Sequence, residues 1–79
     1  MLEKILKNFE GFDFLKADGF DDAIIGLDEQ SMRLIYSMSK CIEILKNDMT
    51  EEEALEYFYF NVSGSFMGLK TPIWCYDYF

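Results

Sequence analysis

The sequence predicts a small two-layer α+β domain, in which helices pack against a three-stranded, mainly antiparallel sheet. Three observations support this fold class: apolar residues at helical spacing near the start, two strand-like runs around a polar turn, and a helix-capping pattern before the aromatic residues 57–60. The predicted order of elements is α-β-β-α-α-β. Because 79 residues leave no room for a linker and a second core, we assign residues 1–79 to one domain.

The first predicted helix covers residues 2–10, and Gly11 ends it. The segment 11–22 alternates aromatic rings with carboxylates and contains a second glycine, so it predicts an irregular loop. The apolar residues of the helix recur at the spacing that forms one helical face: Leu2, Ile5, Leu6 and Phe9.

A β-hairpin is predicted next, with strands at residues 23–27 and 32–36. The first strand is a short apolar run, the second alternates in polarity, and residues 28–31 supply the turn. Gly26 inside the first strand indicates either a bulge or a helix that packs closely at that point.

Two further helices are indicated by their caps. Ser37 is predicted to cap a helix over residues 38–47, because its hydroxyl can accept a hydrogen bond from an unpaired amide. Thr50 and Glu53 form a capping box, which is the strongest local signal in the chain and opens the third helix.

The third helix is expected to run to about residue 66, with Gly68 as a left-handed stop. The segment 70–79 then predicts a closing strand that begins near Pro72, where a strand needs no backbone donor. Pairing with either strand of the hairpin is compatible with the sequence.

The four consecutive aromatic residues 57–60 cannot all face one core from a single helix. At 100° per residue Phe58 faces the core, whereas Tyr57 and Phe60 face the other side. Gly64 lies one turn beyond Phe60, and an exposed helical glycine would cost about 1 kcal/mol relative to alanine. We therefore expect this flank to be covered, either by the first helix or by another molecule. The predicted core stripe comprises Ala54, Leu55, Phe58, Val62, Ser65 and Phe66.

The predicted closing strand carries a second set of rings. Trp74, Tyr76 and Tyr78 share one of its faces, with Asp77 on the opposite face. The aromatic face is either part of the core or a surface stripe, and both possibilities stay open. If exposed, three such rings approach the patch size that marks a contact site.

Composition argues against catalysis and against metal binding. Histidine is absent, so the usual proton shuttle at neutral pH is missing, and Cys41 and Cys75 lie in no zinc-binding pattern. Paired carboxylates such as Asp21 and Asp22 are accompanied by no nucleophile, metal-ligand set or phosphate-binding loop. We expect no enzymatic activity, no cofactor and no metal.

The chain is strongly acidic, with 15 acidic and 7 basic residues and a net charge of -8. Such a field repels nucleic acid and anionic membranes and favours basic protein surfaces, although it also serves solubility alone. Carboxylates concentrate in residues 10–29 and 48–56, so an acidic mimic of DNA phosphates is one alternative. The start of the chain lacks the features of a secretory signal, and no stretch approaches the ~18 apolar residues of a membrane span, so we expect a cytoplasmic protein.

Three stretches cover most of residues 18–75: "DGFDDAIIG", "RLIYSMSKCIEIL" and "MTEEEALEYFYFNVSGSFMGLKTPIW". Together they resemble a family of small acidic proteins found mainly in tailed-phage genomes, and "EALEYFYFNV" and "KTPI" are the most specific segments. The family has no assigned catalytic residues, so the resemblance carries no residue roles. It implies a phage product that acts in the cytoplasm of an infected bacterium.

By analogy with small acidic phage proteins without catalytic apparatus, we predict a non-enzymatic factor that binds and inhibits or redirects a host protein. Its target would belong to a defence system of the restriction, CRISPR or BREX type, for example an ATPase or a nuclease. A homodimer is compatible with this prediction. The alternatives are the DNA mimic and a small structural or accessory phage protein. The predicted partner-binding residues are five aromatic anchors and three acidic residues: Tyr57, Phe60, Trp74, Tyr76, Tyr78, Asp21, Asp22 and Glu56.

Overall fold

Helices and strands follow one another along the chain in the predicted order, and the α+β fold class is confirmed. The computed structural model describes residues 1–65 and 68–79. The described elements are helix α1 (Leu2–Asn8), a 3-10 turn (Asp21–Ala23), strands β1 (Ile24–Asp28) and β2 (Arg33–Ser37), helices α2 (Met38–Leu45) and α3 (Glu51–Tyr57), a π-helical turn (Phe58–Val62) and strand β3 (Ile73–Cys75).

Strand β2 lies at the centre of the sheet, with β1 antiparallel on one side and β3 parallel on the other. The sheet is therefore mixed, rather than mainly antiparallel as predicted. The connection from β2 to β3 contains α2 and α3. These helices bring the chain back to the edge of the sheet where β2 starts, so β3 runs in the same direction as β2. A crossover of this kind places the next strand parallel to the first. Tyr36 of β2 pairs with Trp74 of β3.

The predicted irregularity in the first strand is a β-bulge. Ile24 pairs with Tyr36 but Gly26 pairs with Ile35, so one residue of β1 has no partner in β2. The alternative, a helix packed closely on Gly26, is not what the structure shows. A Cβ atom built at Gly26 would find Ile35 Cδ1 as its nearest neighbour, at 4.0 Å.

The hairpin loop is held by Asp28, whose carboxylate accepts a hydrogen bond from the Ser31 hydroxyl at 2.6 Å. This hydrogen bond lowers the pKa of Asp28, so the carboxylate is ionised at neutral pH. Lys70 Nζ donates to the Ser31 carbonyl at 3.0 Å and ties the loop to the chain that leads into β3. Met32 has a φ of 56° and belongs to the turn, so β2 begins at Arg33, one residue later than predicted.

Ser37 caps α2 as predicted, and it also anchors the segment that follows β3. Its hydroxyl accepts from the Lys40 amide at 3.1 Å and donates to Asp77 Oδ2 at 2.5 Å. Asp77 Oδ1 accepts from the Ser39 amide at 2.8 Å. We call these contacts of Ser37, Ser39 and Asp77 the Asp77 clamp. Because β3 ends at Cys75, the predicted strand alternation stops before Asp77.

Helix α3 begins with the predicted capping box. The Thr50 hydroxyl accepts from the Glu53 amide at 3.2 Å, and the Thr50 amide donates to Glu53 Oε1 at 3.0 Å. These two bonds satisfy donors that a helix start leaves unpaired. The hydrogen bond from the Thr50 backbone lowers the pKa of the Glu53 carboxyl.

The π-helical turn replaces the last part of the α-helix predicted after Tyr57. The Ser63 amide donates to the Phe58 carbonyl at 2.8 Å, five residues earlier, which is the hydrogen bond of a π-helix. Helical structure ends at Val62, earlier than predicted. Phe66, predicted for the core stripe, lies outside the described residues.

The core centres on Tyr36, whose side chain is completely buried. Its hydroxyl accepts from the Ala17 amide at 2.8 Å, and its ring centre lies 5.0 Å from that of Trp74. Trp74 lies 5.7 Å from Phe58 in an edge-to-face contact, so the predicted inward direction of Phe58 is confirmed. The buried core residues are Ile5, Ala17, Phe20, Ala23, Ile24, Leu34, Tyr36, Met38, Cys41, Ile42, Ala54, Phe58 and Val62.

Replacement of Gly64 by alanine is expected to lower the free energy of unfolding by about 1–3 kcal/mol, as overpacking does. A Cβ atom at Gly64 would lie 2.7 Å from the Tyr59 carbonyl oxygen, which is a backbone atom held in the helix. Gly26→Ala is the matched control, because its nearest neighbour would be Ile35 Cδ1 at 4.0 Å. Urea unfolding followed by the fluorescence of Trp74 measures both variants. Equal stability of the two would contradict the steric explanation.

Asp77→Asn is expected to lower the free energy of unfolding by about 1–2 kcal/mol at neutral pH, because an amide replaces the charged acceptor of the Asp77 clamp. Burial acts to raise the pKa of Asp77, but the hydrogen bonds from Ser37 and Ser39 outweigh it and lower the pKa below 3.8. The ionised carboxylate therefore contributes its full stability at pH values above the pKa of Asp77 in the unfolded state. This stability is lost as the pH falls through the lower pKa of Asp77 in the folded state.

The measurement for Asp77→Asn is chemical denaturation of the wild type and the variant across acidic and neutral pH. The stability difference between them should be constant at pH values well above 3.8 and should shrink below 3.8. The other carboxylates titrate in both proteins, so the difference isolates Asp77. A difference that persists undiminished in strong acid would show that the charge of Asp77 does not support the clamp.

Candidate protein-binding surface

The outer flank of α3 and the π-helical turn is open to solvent. Phe60 is 77% exposed and Tyr57 is 43% exposed, whereas Phe58 faces the core. The prediction that this flank is covered is wrong for the chain by itself, because α1 packs on β1 instead. The prediction was based on Gly64, but the structure gives a different reason for a glycine at this position. A Cβ atom at Gly64 would lie 2.7 Å from the carbonyl oxygen of Tyr59, in the π-helical turn that precedes Gly64.

An open groove of about 630 Å³ lies beside Phe60. It is formed by the turn that leads into α3 and by the exposed flank of the helix. Its lining combines carboxylates with apolar side chains, and none of its described lining residues is basic. We call it the acidic groove, and its lining residues are Asp48, Met49, Glu53, Glu56, Tyr57, Phe60 and Asn61.

A second groove of about 360 Å³ lies on the other side of Tyr57. Tyr57 and Asn61 line both grooves, and we call this shared pair the ridge. The two grooves are therefore neighbours on one continuous surface. We call the second one the loop groove, and its lining residues are Lys16, Ala17, Asp18, Phe20, Tyr57, Asn61, Val62 and Ser65.

Among the described residues, no basic side chain forms an ion pair with the carboxylates of the acidic groove. The ion pairs found among residues 1–65 and 68–79 are Lys16–Asp21 and Lys46–Glu43, and neither involves this groove. Glu53 is occupied by its capping box, which lowers its pKa and so favours the ionised form. An incoming partner therefore meets a surface of one sign next to exposed rings.

Asp21 and Asp22 do not join the acidic groove. They lie in the 3-10 turn before β1 and line a separate depression. Of the predicted site residues, the structure brings together Glu56, Tyr57 and Phe60. The separate depression is lined by Met1, Leu2, Glu3, Asp21, Asp22, Ile24, Ile25 and Lys40.

Trp74, Tyr76 and Tyr78 do not form one stripe, because the strand ends before Tyr76. Trp74 is half-buried against the core, and its Nε1–H is buried without a hydrogen-bond partner among the described residues. Tyr78 is also half-buried, and a hydrogen bond to Glu51 raises the pKa of its hydroxyl. Tyr76 is 60% exposed and packs edge-to-face on Phe79 at 5.6 Å. Tyr76 thus offers the open ring of the three, and their roles in partner binding stay predictions.

Four residues of the acidic groove were not among the predicted partner-binding residues: Asp48, Met49, Glu53 and Asn61. Met49 lies before the capping box, where no periodicity reveals the direction of its side chain. Regular α-helical spacing puts Asn61 beside the core residue Ala54. The π-helical turn advances less per residue, so Asn61 lies over Tyr57 and is exposed.

The acidic groove combines aromatic rings, whose burial by a partner would be favourable, with carboxylates that can orient that partner. This combination suits protein binding.

The thiol of Cys41 is protonated at neutral pH, because burial and the nearby Asp77 raise its pKa to about 12. Within the described part of the chain, no three His, Cys, Asp or Glu side chains are placed to hold a metal ion. No described helix has the length and apolar character needed to cross a membrane.

No family model matches this chain, and no curated protein or solved structure is significantly similar to it. The candidate surface therefore rests on the geometry of the described residues alone. The resemblance of three stretches to small acidic phage proteins stays a prediction.

The ring of Trp74 is expected to contribute much more to the free energy of unfolding than the ring of Phe60. Trp74→Ala is expected to lower the free energy of unfolding by about 3 kcal/mol, because the indole contacts Tyr36 and Phe58 in the core. Phe60→Ala should change it by less than about 0.5 kcal/mol, since its ring is exposed. Thermal unfolding followed by circular dichroism measures both. Comparable losses in the two variants would remove Phe60 from the candidate surface.

Proposed function

We propose that this chain is a non-enzymatic binding protein that inhibits or redirects a host protein. The observation that carries the proposal is the acidic groove, where the exposed ring of Phe60 lies among carboxylates. The resemblance to small acidic phage proteins supplies the context, which is the cytoplasm of an infected bacterium. By the same analogy, the target is a component of a restriction, CRISPR or BREX-type defence system.

The exposed rings support a binding role on energetic grounds. Burial of a phenylalanine side chain is worth about 1.5–3 kcal/mol, and Phe60 has not gained this within its own chain. Aromatic residues at the centre of an interface commonly carry a large share of the binding free energy. Tyr57 adds a second ring whose hydroxyl can hydrogen-bond while the ring is buried.

The charge of the chain supports a basic protein surface as the target. A net charge of -8 attracts basic partners and accelerates their association. The lining of the groove combines carboxylates with apolar side chains, whereas a DNA mimic depends on rows of charge. The groove therefore favours a mixed apolar and ionic interface over phosphate mimicry.

The test is affinity capture from bacterial lysate with tagged wild-type protein and two variants. Phe60→Ala should reduce capture of a specific host protein by roughly tenfold or more, the equivalent of ~1.4 kcal/mol. Phe12→Ala is the matched control, because Phe12 is also a largely exposed phenyl ring but lines neither groove. Capture that is equal for Phe60→Ala and Phe12→Ala would contradict the proposal.

Salt dependence distinguishes the proposal from DNA mimicry in the same experiment. An interface anchored by Phe60 should retain part of its affinity when salt is raised to about 0.5 M, where exposed charges are screened. A DNA mimic should lose nearly all of its affinity, because it replaces many phosphates. Loss of this kind, together with no effect of Phe60→Ala, would favour the mimic.

A further inference from the structure

We infer that the acidic groove and the loop groove together bind an extended, Lys/Arg-rich segment of the partner. Its basic side chains lie in the acidic groove, and a neutral continuation crosses the ridge of Tyr57 and Asn61 into the loop groove. The inference rests on the proposed function and adds the chemistry of the bound segment and the direction in which it lies.

The two grooves differ in charge, and this difference sets the direction. The acidic groove carries the carboxylates of Asp48, Glu53 and Glu56, without a basic residue in its described lining. The loop groove carries one charge of each sign, from Lys16 and Asp18. A segment with its positive charges at one end therefore binds best with that end in the acidic groove.

The apolar part of the acidic groove matches the side chains of lysine and arginine. Their methylene stems can lie along apolar surface while the charged group reaches a carboxylate. Tyr57 and Phe60 also line this groove, and the face of an aromatic ring attracts a cation placed over it. Met49 is flexible and adapts to the stem that packs on it.

Charge also decides between the other occupants of the two grooves. A second copy of the chain carries the same net charge of -8, so the two copies repel each other. Nucleic acid and anionic membranes are repelled for the same reason. A basic segment of a protein is the occupant that these observations favour.

Fluorescence anisotropy with labelled synthetic peptides tests the inference. The probe is a short peptide with arginines in one half, a leucine at the centre and serines in the other half. Its matched partner has glutamates in place of the arginines. The wild-type protein should bind the arginine peptide roughly tenfold more tightly than the glutamate peptide, and added salt should weaken that binding. Equal binding of both peptides, or binding of neither, overturns the inference.

Two variants of α3 distinguish attraction of the peptide by the carboxylates of the groove from attraction by the net charge of the whole protein. Glu56→Gln and Glu52→Gln each remove one negative charge from the helix, but only Glu56 lines the acidic groove. Glu56→Gln should weaken binding of the arginine peptide about fivefold, the value of one partly exposed charge pair. Glu52→Gln should weaken it less than about twofold. Equal weakening by both would show a non-specific field and overturn the inference.

The oligomeric state and the host-protein capture complete the test. Sedimentation of the wild type should show a monomer at the concentrations used for peptide binding. A dimer that Glu56→Gln dissociates would make a second copy the occupant and overturn the inference. If capture of the host protein depends on Phe60 while the peptides are not discriminated, only this inference fails. If capture is independent of Phe60, the proposed function itself fails.

Discussion

The burial of Tyr36 is the constraint on which the rest of the structure depends. Its hydroxyl holds the loop that precedes the 3-10 turn, and its ring supports Trp74 across the parallel pair of strands. Trp74 in turn contacts Phe58, which fixes the inward direction of the π-helical turn. With Phe58 fixed inward, helical geometry turns Tyr57 and Phe60 outward. The exposed rings of the candidate surface are therefore a consequence of packing at the centre of the core.

Strand β3 depends on a second constraint, the Asp77 clamp. The strand comprises Ile73–Cys75 and, among the described strands, pairs only with β2, so few ladder hydrogen bonds hold it. The clamp adds charge-assisted hydrogen bonds to the first turn of α2 just beyond the end of the strand. Trp74 lies between the loop that Lys70 anchors and the clamp that Asp77 forms. Its contact with the core is thus secured from both sides along the chain.

Features that depend on neighbours in sequence could be predicted, and features that depend on distant contacts could not. The caps at Ser37 and Thr50 involve residues three positions apart, so the sequence located both helix starts. The parallel direction of β3 depends on where two helices return the chain, which alternation does not encode. The sequence likewise does not show whether Trp74 faces the core or the surface, because this depends on its contacts with Tyr36 and Phe58. Within the candidate site, helical periodicity identified Tyr57 and Phe60, and the acidic stretch 48–56 includes Asp48, whereas no pattern showed that Met49 lines the same groove.

The aromatic residues divide into rings that hold the fold and rings that the fold leaves free. Phe58 is 1% exposed, whereas Phe60, two residues later, is 77% exposed. A substitution at a buried site lowers the free energy of unfolding much more than one at an exposed site, because large losses of stability come from the loss of buried contacts. Selection can therefore alter the groove at Phe60 or Glu56 without weakening the core. A chain of this size has a small stability margin, so keeping the rings of the candidate surface outside the core allows these residues to change while the fold is kept.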